Sequence, residues 1–140
     1  MSRRLALALL AAAAVVVAPA GAAAVSPTVR LSIVHVVQGC HVWADATGVK
    51  AFGPTKTLRV KAGTKLVIRV SCPMDFDFVQ TAGPKLALGD KRLRTGTQKT
   101  ILFPRRGTYR LRGKNVQSSA ERGLQTLGPD NTLTLIVIAT

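Results

Sequence analysis

Two short stretches hold the residue types best suited to chemistry in this chain of 140 residues: Cys40-His41 and Cys72-Pro73-Met74. Thiolate, imidazole and thioether are soft donors that suit copper. A copper or other soft-metal site built from His41 with Cys40, Cys72 and Met74 is therefore one expectation, with His41 its first ligand. The rival is a Cys40–Cys72 disulfide, the usual use of two cysteines in an exported chain. It would close a loop of about 30 residues, worth roughly 3 kcal/mol in the chain-entropy account. A disulfide leaves no thiolate for a metal, so the two readings compete. His35 alternates with Ile33 and Val37 on an apolar strand face, where a buried, hydrogen-bonded core histidine is expected in place of a ligand.

Catalytic constellations are not legible. Cys40 and His41 are neighbours, and neighbouring strand residues point to opposite faces, so they do not form a nucleophile and base. Asp75 and Asp77 share a face if their segment is a strand, as paired carboxylates would. Cation binding or exposure beside a basic surface explains them equally well. No glycine-rich phosphate loop or zinc-helix motif occurs. The expectation is a protein that is not an enzyme.

The cysteine reading depends on compartment, which the first residues set. Arg3 and Arg4 precede an unbroken apolar run from Leu5 to Val17, and Ala18-Pro-Ala20 and Ala22-Ala-Ala24 offer small-residue cleavage sites. That is the layout of a secretory signal peptide over residues 1–24. An uncleaved anchor is the alternative, since Leu5 to Ala24 nearly spans a bilayer; Pro19 and Gly21 favour cleavage. Residues 25–140 then suffice for one domain with its own core, exported to the cell envelope or beyond.

Of 20 Lys and Arg against 6 Asp and Glu, only Arg3 and Arg4 lie in the leader, so nearly all of the net charge of +14 belongs to the domain. Such a charge favours attraction to polyanions and says nothing of fold. Arg59 and Lys61, Lys65 and Arg69, and Arg110 and Arg112 alternate with apolar residues, as on solvated outer faces. Lys91, Arg92, Arg94, Lys99, Arg105 and Arg106 form the densest candidate patch for a polyanion. Stacking aromatics and nucleic-acid motifs are missing from it, so anionic envelope polymers or a membrane surface are expected as partners ahead of specific nucleic acid. The domain is expected to be a monomer.

These groups must be carried by strands, because apolar residues recur with period two. Val29, Leu31, Ile33, His35 and Val37 alternate with more polar neighbours, as do Leu66, Ile68 and Val70. Further strands are predicted at Thr57 to Val60, Asp75 to Gln80, Gln98 to Phe103, Thr108 to Arg112 and Asn131 to Thr140. Gly53-Pro54, Ala62-Gly63, Gly83-Pro84, Gly89-Asp90, Arg106-Gly107 and Gly128-Pro-Asp-Asn131 punctuate them as turns. Short strands at this spacing predict a β-sandwich or barrel. Ser118-Ser-Ala-Glu121 is a possible capping box for a short helix. Trp43, Phe52, Phe76, Phe78, Phe103 and Tyr109 are expected in the core.

Three segments carry a family likeness: Thr55 to Val70 with its Leu-x-Val-x-Ala-Gly run, Pro73 to Val79, and Phe103 to Leu111 with Gly107-Thr-Tyr109. The chain resembles the cupredoxins in these, and more closely small secreted cupredoxin-like proteins with a Gly-Cys-His-x-Trp stretch, here Gly39 to Trp43, and a Gly-Pro-Asp-Asn stretch, here Gly128 to Asn131. The resemblance implies an all-β, Greek-key, cupredoxin-like sandwich of seven to eight strands, and at most copper or metal binding. It also places Phe76 where the first copper histidine belongs and Arg112 or Gly113 where the copper cysteine belongs, while residues 114–127 hold no Cys, His or Met. The expectation is thus a structural or interaction module without a type 1 copper site and without a cofactor, copper being the alternative.

Overall fold

The computed structural model describes residues 25–36, 40–116 and 132–140, with the backbone alone at Cys40. The signal-peptide reading and the capping box at Ser118 to Glu121 lie outside the described residues, as does Val37.

Among the described residues are ten strands: β1 (Thr28–Val36), β2 (Cys40–Ala44), β3 (Ala51–Gly53), β4 (Thr55–Val60), β5 (Thr64–Val70), β6 (Asp75–Ala82), β7 (Arg92–Leu93), β8 (Gln98–Phe103), β9 (Gly107–Val116) and β10 (Thr132–Ala139). They form two five-stranded sheets, β3-β2-β1-β5-β8 and β4-β10-β9-β6-β7. The chain crosses between the sheets several times; β1 lies parallel to β5 and β4 parallel to β10, while the remaining pairs are antiparallel. The predicted Greek-key sandwich is the observed one.

Ten strands exceed the expected seven to eight because β2, β3 and β7 show no period. The run His41 to Ala44 is buried on both faces. Its outer face is covered by the turn after it, where Ser32 Oγ donates to the Ala46 carbonyl at 3.4 Å and Gly48 packs on Val34. Burial on both faces erases the alternation that marks a half-buried strand. β3 and β7 are only three and two residues long.

The core lies between the sheets. Ile33, Trp43, Ile68, Val70, Ile101 and Phe103 of one sheet meet Phe76, Tyr109, Leu111, Leu133, Leu135 and Val137 of the other, all within 1% of complete burial. Such side chains contribute about 1.5–3 kcal/mol each on burial. Trp43 ties the layers directly, its indole N–H donating to the Thr134 carbonyl at 3.0 Å. The expected core aromatics are buried except Phe52, which is partly exposed and has the Lys56 ammonium 3.6 Å from its ring centroid.

Candidate functional site

The ends of β1 and β5 and the starts of β2, β6 and β8 meet at one end of the sandwich, and both donor stretches are there. His41 lies directly opposite His35 across the β1–β2 pair, two residues along from the Ile33–Trp43 pair. Alternation puts both imidazoles on the inner face, their ring centroids 5.2 Å apart. The expected burial of His35 is corrected: its face is apolar as read, yet the ring is exposed, because it is the last inward position before the rim. His41, on β2, is only 1% exposed.

Cys72-Pro-Met74 carries the chain from β5 of this sheet to β6 of the opposing one. Cys72 and Met74 are buried, with Cys72 Sγ 3.9 Å from the Met74 carbonyl oxygen. Asn115, near the end of β9 and paired with Phe76 of β6, points its amide between the two sheets. Its Nδ2 is 3.3 Å from His41 Nδ1 and 3.0 Å from Met74 Sδ. An amide nitrogen can only donate, so this contact is a hydrogen bond in the tautomer of His41 that carries its proton on Nε2 and accepts at Nδ1. The opposite amide orientation would set two acceptors, oxygen and sulfur, against each other. Asn115 thus joins His41 and Met74 through one NH2 group. Sequence reading missed it, although an asparagine on the inward positions of β9, after Tyr109, Leu111 and Gly113, was the available signal.

The cupredoxin resemblance implies copper at this end, and the donors described do not fit a type 1 centre. Phe76, where the first histidine belongs, is fully buried and T-stacked on His41. A hydrocarbon ring offers no donor there. Gly113, one of the two positions implied for the cysteine, is opposite Phe78, whose Cε1 and Cζ would be 2.8 Å from any Cβ at that position. Met74 Sδ and His41 Nδ1 already engage the Asn115 amide. Among the described residues no group of three or more His, Cys, Asp or Glu is placed to hold a metal. The Cys40 side chain lies outside the described residues, and with it the Cys40–Cys72 pairing; the backbone puts both cysteines at the same end, with β1 between their strands.

Asp75 and Asp77 do share a face of β6, where they bracket Arg92. Arg92 Nε is 2.6 Å from Asp77 Oδ1 and its Nη1 is 3.9 Å from Asp75 Oδ2, while Lys91 Nζ approaches Asp77 at 3.8 Å. Asp75 Oδ1 also accepts from the Thr95 amide at 2.9 Å. These carboxylates fasten β7 and its following turn to β6. The candidate polyanion patch is divided as a result. Lys91 and Arg92 face acids, and Lys99 donates to the Asp90 carbonyl. Arg94 sits in the turn before β8. Arg105 and Arg106 lie past the other end of β8, some six residues or roughly 20 Å of strand away.

Two five-stranded sheets with parallel β1–β5 and β4–β10 pairs, built on the Thr55–Val70 and Gly107–Tyr109 frame, define a cupredoxin-like β-sandwich. The chain is similar to a purple cupredoxin from Nitrosopumilus maritimus, with 15% identity, a TM-score of 0.44, and coverage of 78% of this chain and 98% of that one. It is also similar to copper nitrite reductase from Nitrosomonas europaea, with 12% identity, a TM-score of 0.44 and coverage of 81% of this chain but 41% of that one. A Cu(I) amicyanin mutant shares 16% identity at a TM-score of 0.37, covering 84% and 87% of the two chains. No protein-family profile matches the sequence, and no curated protein matches it. Among the described residues no helix is long and apolar enough to cross a membrane.

Proposed function

We propose that this chain is an exported cupredoxin-like module that holds no type 1 copper, acts by structure or interaction rather than catalysis, and carries a Cys40–Cys72 disulfide. The observation that supports it best is Phe76, fully buried against His41 at the place of the expected copper histidine. A buried aromatic pair strengthens a core. The Phe76 ring offers a metal no donor atom. The Asn115 amide, donating to both His41 and Met74, uses the lone pairs that a soft metal would need.

The competing reading is a soft-metal protein using His41 with Cys40, Cys72 or Met74. Its support is that His41 and Met74 converge on a single amide group at the end of the sandwich where Cys72 is also buried. Titration of the protein with Cu(II), with thiols counted under denaturing, non-reducing conditions, separates the two. The module reading expects no stoichiometric copper uptake and no reactive thiol. A one-to-one complex with an intense thiolate-to-copper absorption band and two titratable thiols would replace it with the metal reading.

A further inference from the structure

The outer face of the β4-β10-β9-β6-β7 sheet bears a row of cations that sequence proximity did not single out. Arg110, Arg112 and Lys114 occupy the outward positions of β9, each exposed, while Tyr109, Leu111, Gly113 and Asn115 between them are buried. At two residues per step they stand about 7 Å apart in a straight line. Register places Ile136, Thr134 and Thr132 of β10 beside Arg110, Arg112 and Lys114, with Ile138 next along β10, and Val79 and Asp77 of β6 beside Arg112 and Lys114 on the other flank. Arg59 of β4, opposite Ile138, adds a fourth cation.

Asp77 of β6 stands beside Lys114 in register, but among the described residues no carboxylate forms an ion pair with the row. Asp45 is held by its own turn through Thr47 and Val49, and Asp90 by the Arg92 amide. Asp75 and Asp77 are engaged by Arg92 and Lys91. Arg59, Arg110, Arg112 and Lys114 make no ion pair among the described residues. Three like charges about 7 Å apart on one strand repel one another. They are most stable when an anion lies across them. Guanidinium forks suit the oxygens of a phosphodiester. The described positions beside the row carry Ile, Val, Thr and, next to Lys114, Asp77, with no aromatic ring on which a nucleobase would stack.

We infer that the Arg110-Arg112-Lys114 row is a docking track for a linear phosphodiester polymer lying along β9. This names a partner class for the module proposed above and rests on that reading; it is a separate face from the histidine end, so copper uptake would overturn the module reading while leaving the track to be judged by its own result.

The probe is poly(glycerol phosphate) carrying a fluorophore, with binding followed by anisotropy from low to high salt. Affinity is expected to fall log-linearly with salt. The triple variant Arg110→Thr, Arg112→Thr, Lys114→Thr, which keeps strand-forming residues on the outer face, should bind roughly tenfold or more weakly and lose about 2 units of salt slope, at about 0.7 per lost contact. A control that removes equal charge from the outer face of the other sheet, Arg30→Thr, Lys65→Thr, Arg69→Thr, should retain near-native affinity. Equal losses in both triples, or none in the β9 triple, would overturn the track. So would binding of phosphatidylglycerol vesicles that depends on the β9 row while polymer binding does not, since the occupant would then be a membrane. Single variants at Arg110, Arg112 and Lys114, checked for native unfolding midpoints, should give graded losses; flat affinity across the folded singles would count against the track should the triple fail to fold.

Discussion

The His41 imidazole stands edge-on to the Phe76 ring, with centroids 5.5 Å apart and planes at 79°, and neither residue is more than 1% exposed. The contact crosses the sandwich from β2 to β6. It fills with hydrocarbon the place where the resemblance expects a second imidazole, and it leaves His41 Nδ1 facing the Asn115 amide.

Asn115→Ala should destabilise the fold by about 1–3 kcal/mol, because His41 Nδ1 loses a donor in a buried setting and the lost amide leaves a small void. Chemical denaturation measures it. Asn115→Asp should cost more, since its charged oxygens would face the lone pairs of Met74 Sδ and His41 Nδ1.

Gly113→Ala should destabilise by about 1–3 kcal/mol through overpacking, as its Cβ would fall 2.8 Å from two ring atoms of Phe78. In a Phe78→Leu background the same change should cost less. A double-mutant cycle measured by urea denaturation reads the coupling, and strict additivity would show that the two positions do not compete for space.

The long strands were legible because one face of each is buried. The alternation at Leu66, Ile68 and Val70, and at Leu133, Leu135 and Val137, is the alternation of the core. What period two cannot register is a strand covered on both sides, as at Val42 and Ala44, or one too short to repeat, as at Arg92–Leu93. His35 was read onto the correct face, but how near a residue lies to the rim depends on where neighbouring strands end. The group Lys91 to Arg106 looked continuous because it is close in sequence; β8 runs through its middle and carries its members apart. Arg110 and Arg112 read as a solvated face, and only the β6–β9–β10 register shows what flanks them.

Trp43→Phe should cost about 1–3 kcal/mol, combining a lost hydrogen bond to the Thr134 carbonyl with incomplete filling of the space between the sheets. The loss should appear in the unfolding midpoint with little change in denaturant slope, since the same surface is exposed on unfolding.

Asp45 is held below the ordinary carboxylate value of 3.8, chiefly by the Thr47 hydroxyl against the opposing effect of desolvation, with amides of its own turn adding to the lowering. A pKa lower in the folded state contributes stability that is present above the unfolded value and is lost as pH falls through the folded one. Thermal midpoints should therefore decline as pH drops below about 4, and Asp45→Ala should show a shallower decline. Parallel curves would show that the turn contributes nothing to acid sensitivity.

The state of His41 itself is the most direct reading. Long-range proton–nitrogen NMR of the His41 ring, recorded before and after one equivalent of Cu(I), distinguishes an acceptor Nδ1 from a protonated or metal-bound one. The expected spectrum shows an Nε2–H tautomer with Nδ1 accepting from Asn115, unchanged by Cu(I) and altered in Asn115→Ala. A stoichiometric shift of the His41 nitrogens on adding Cu(I) would contradict a copperless module and make His41 a ligand.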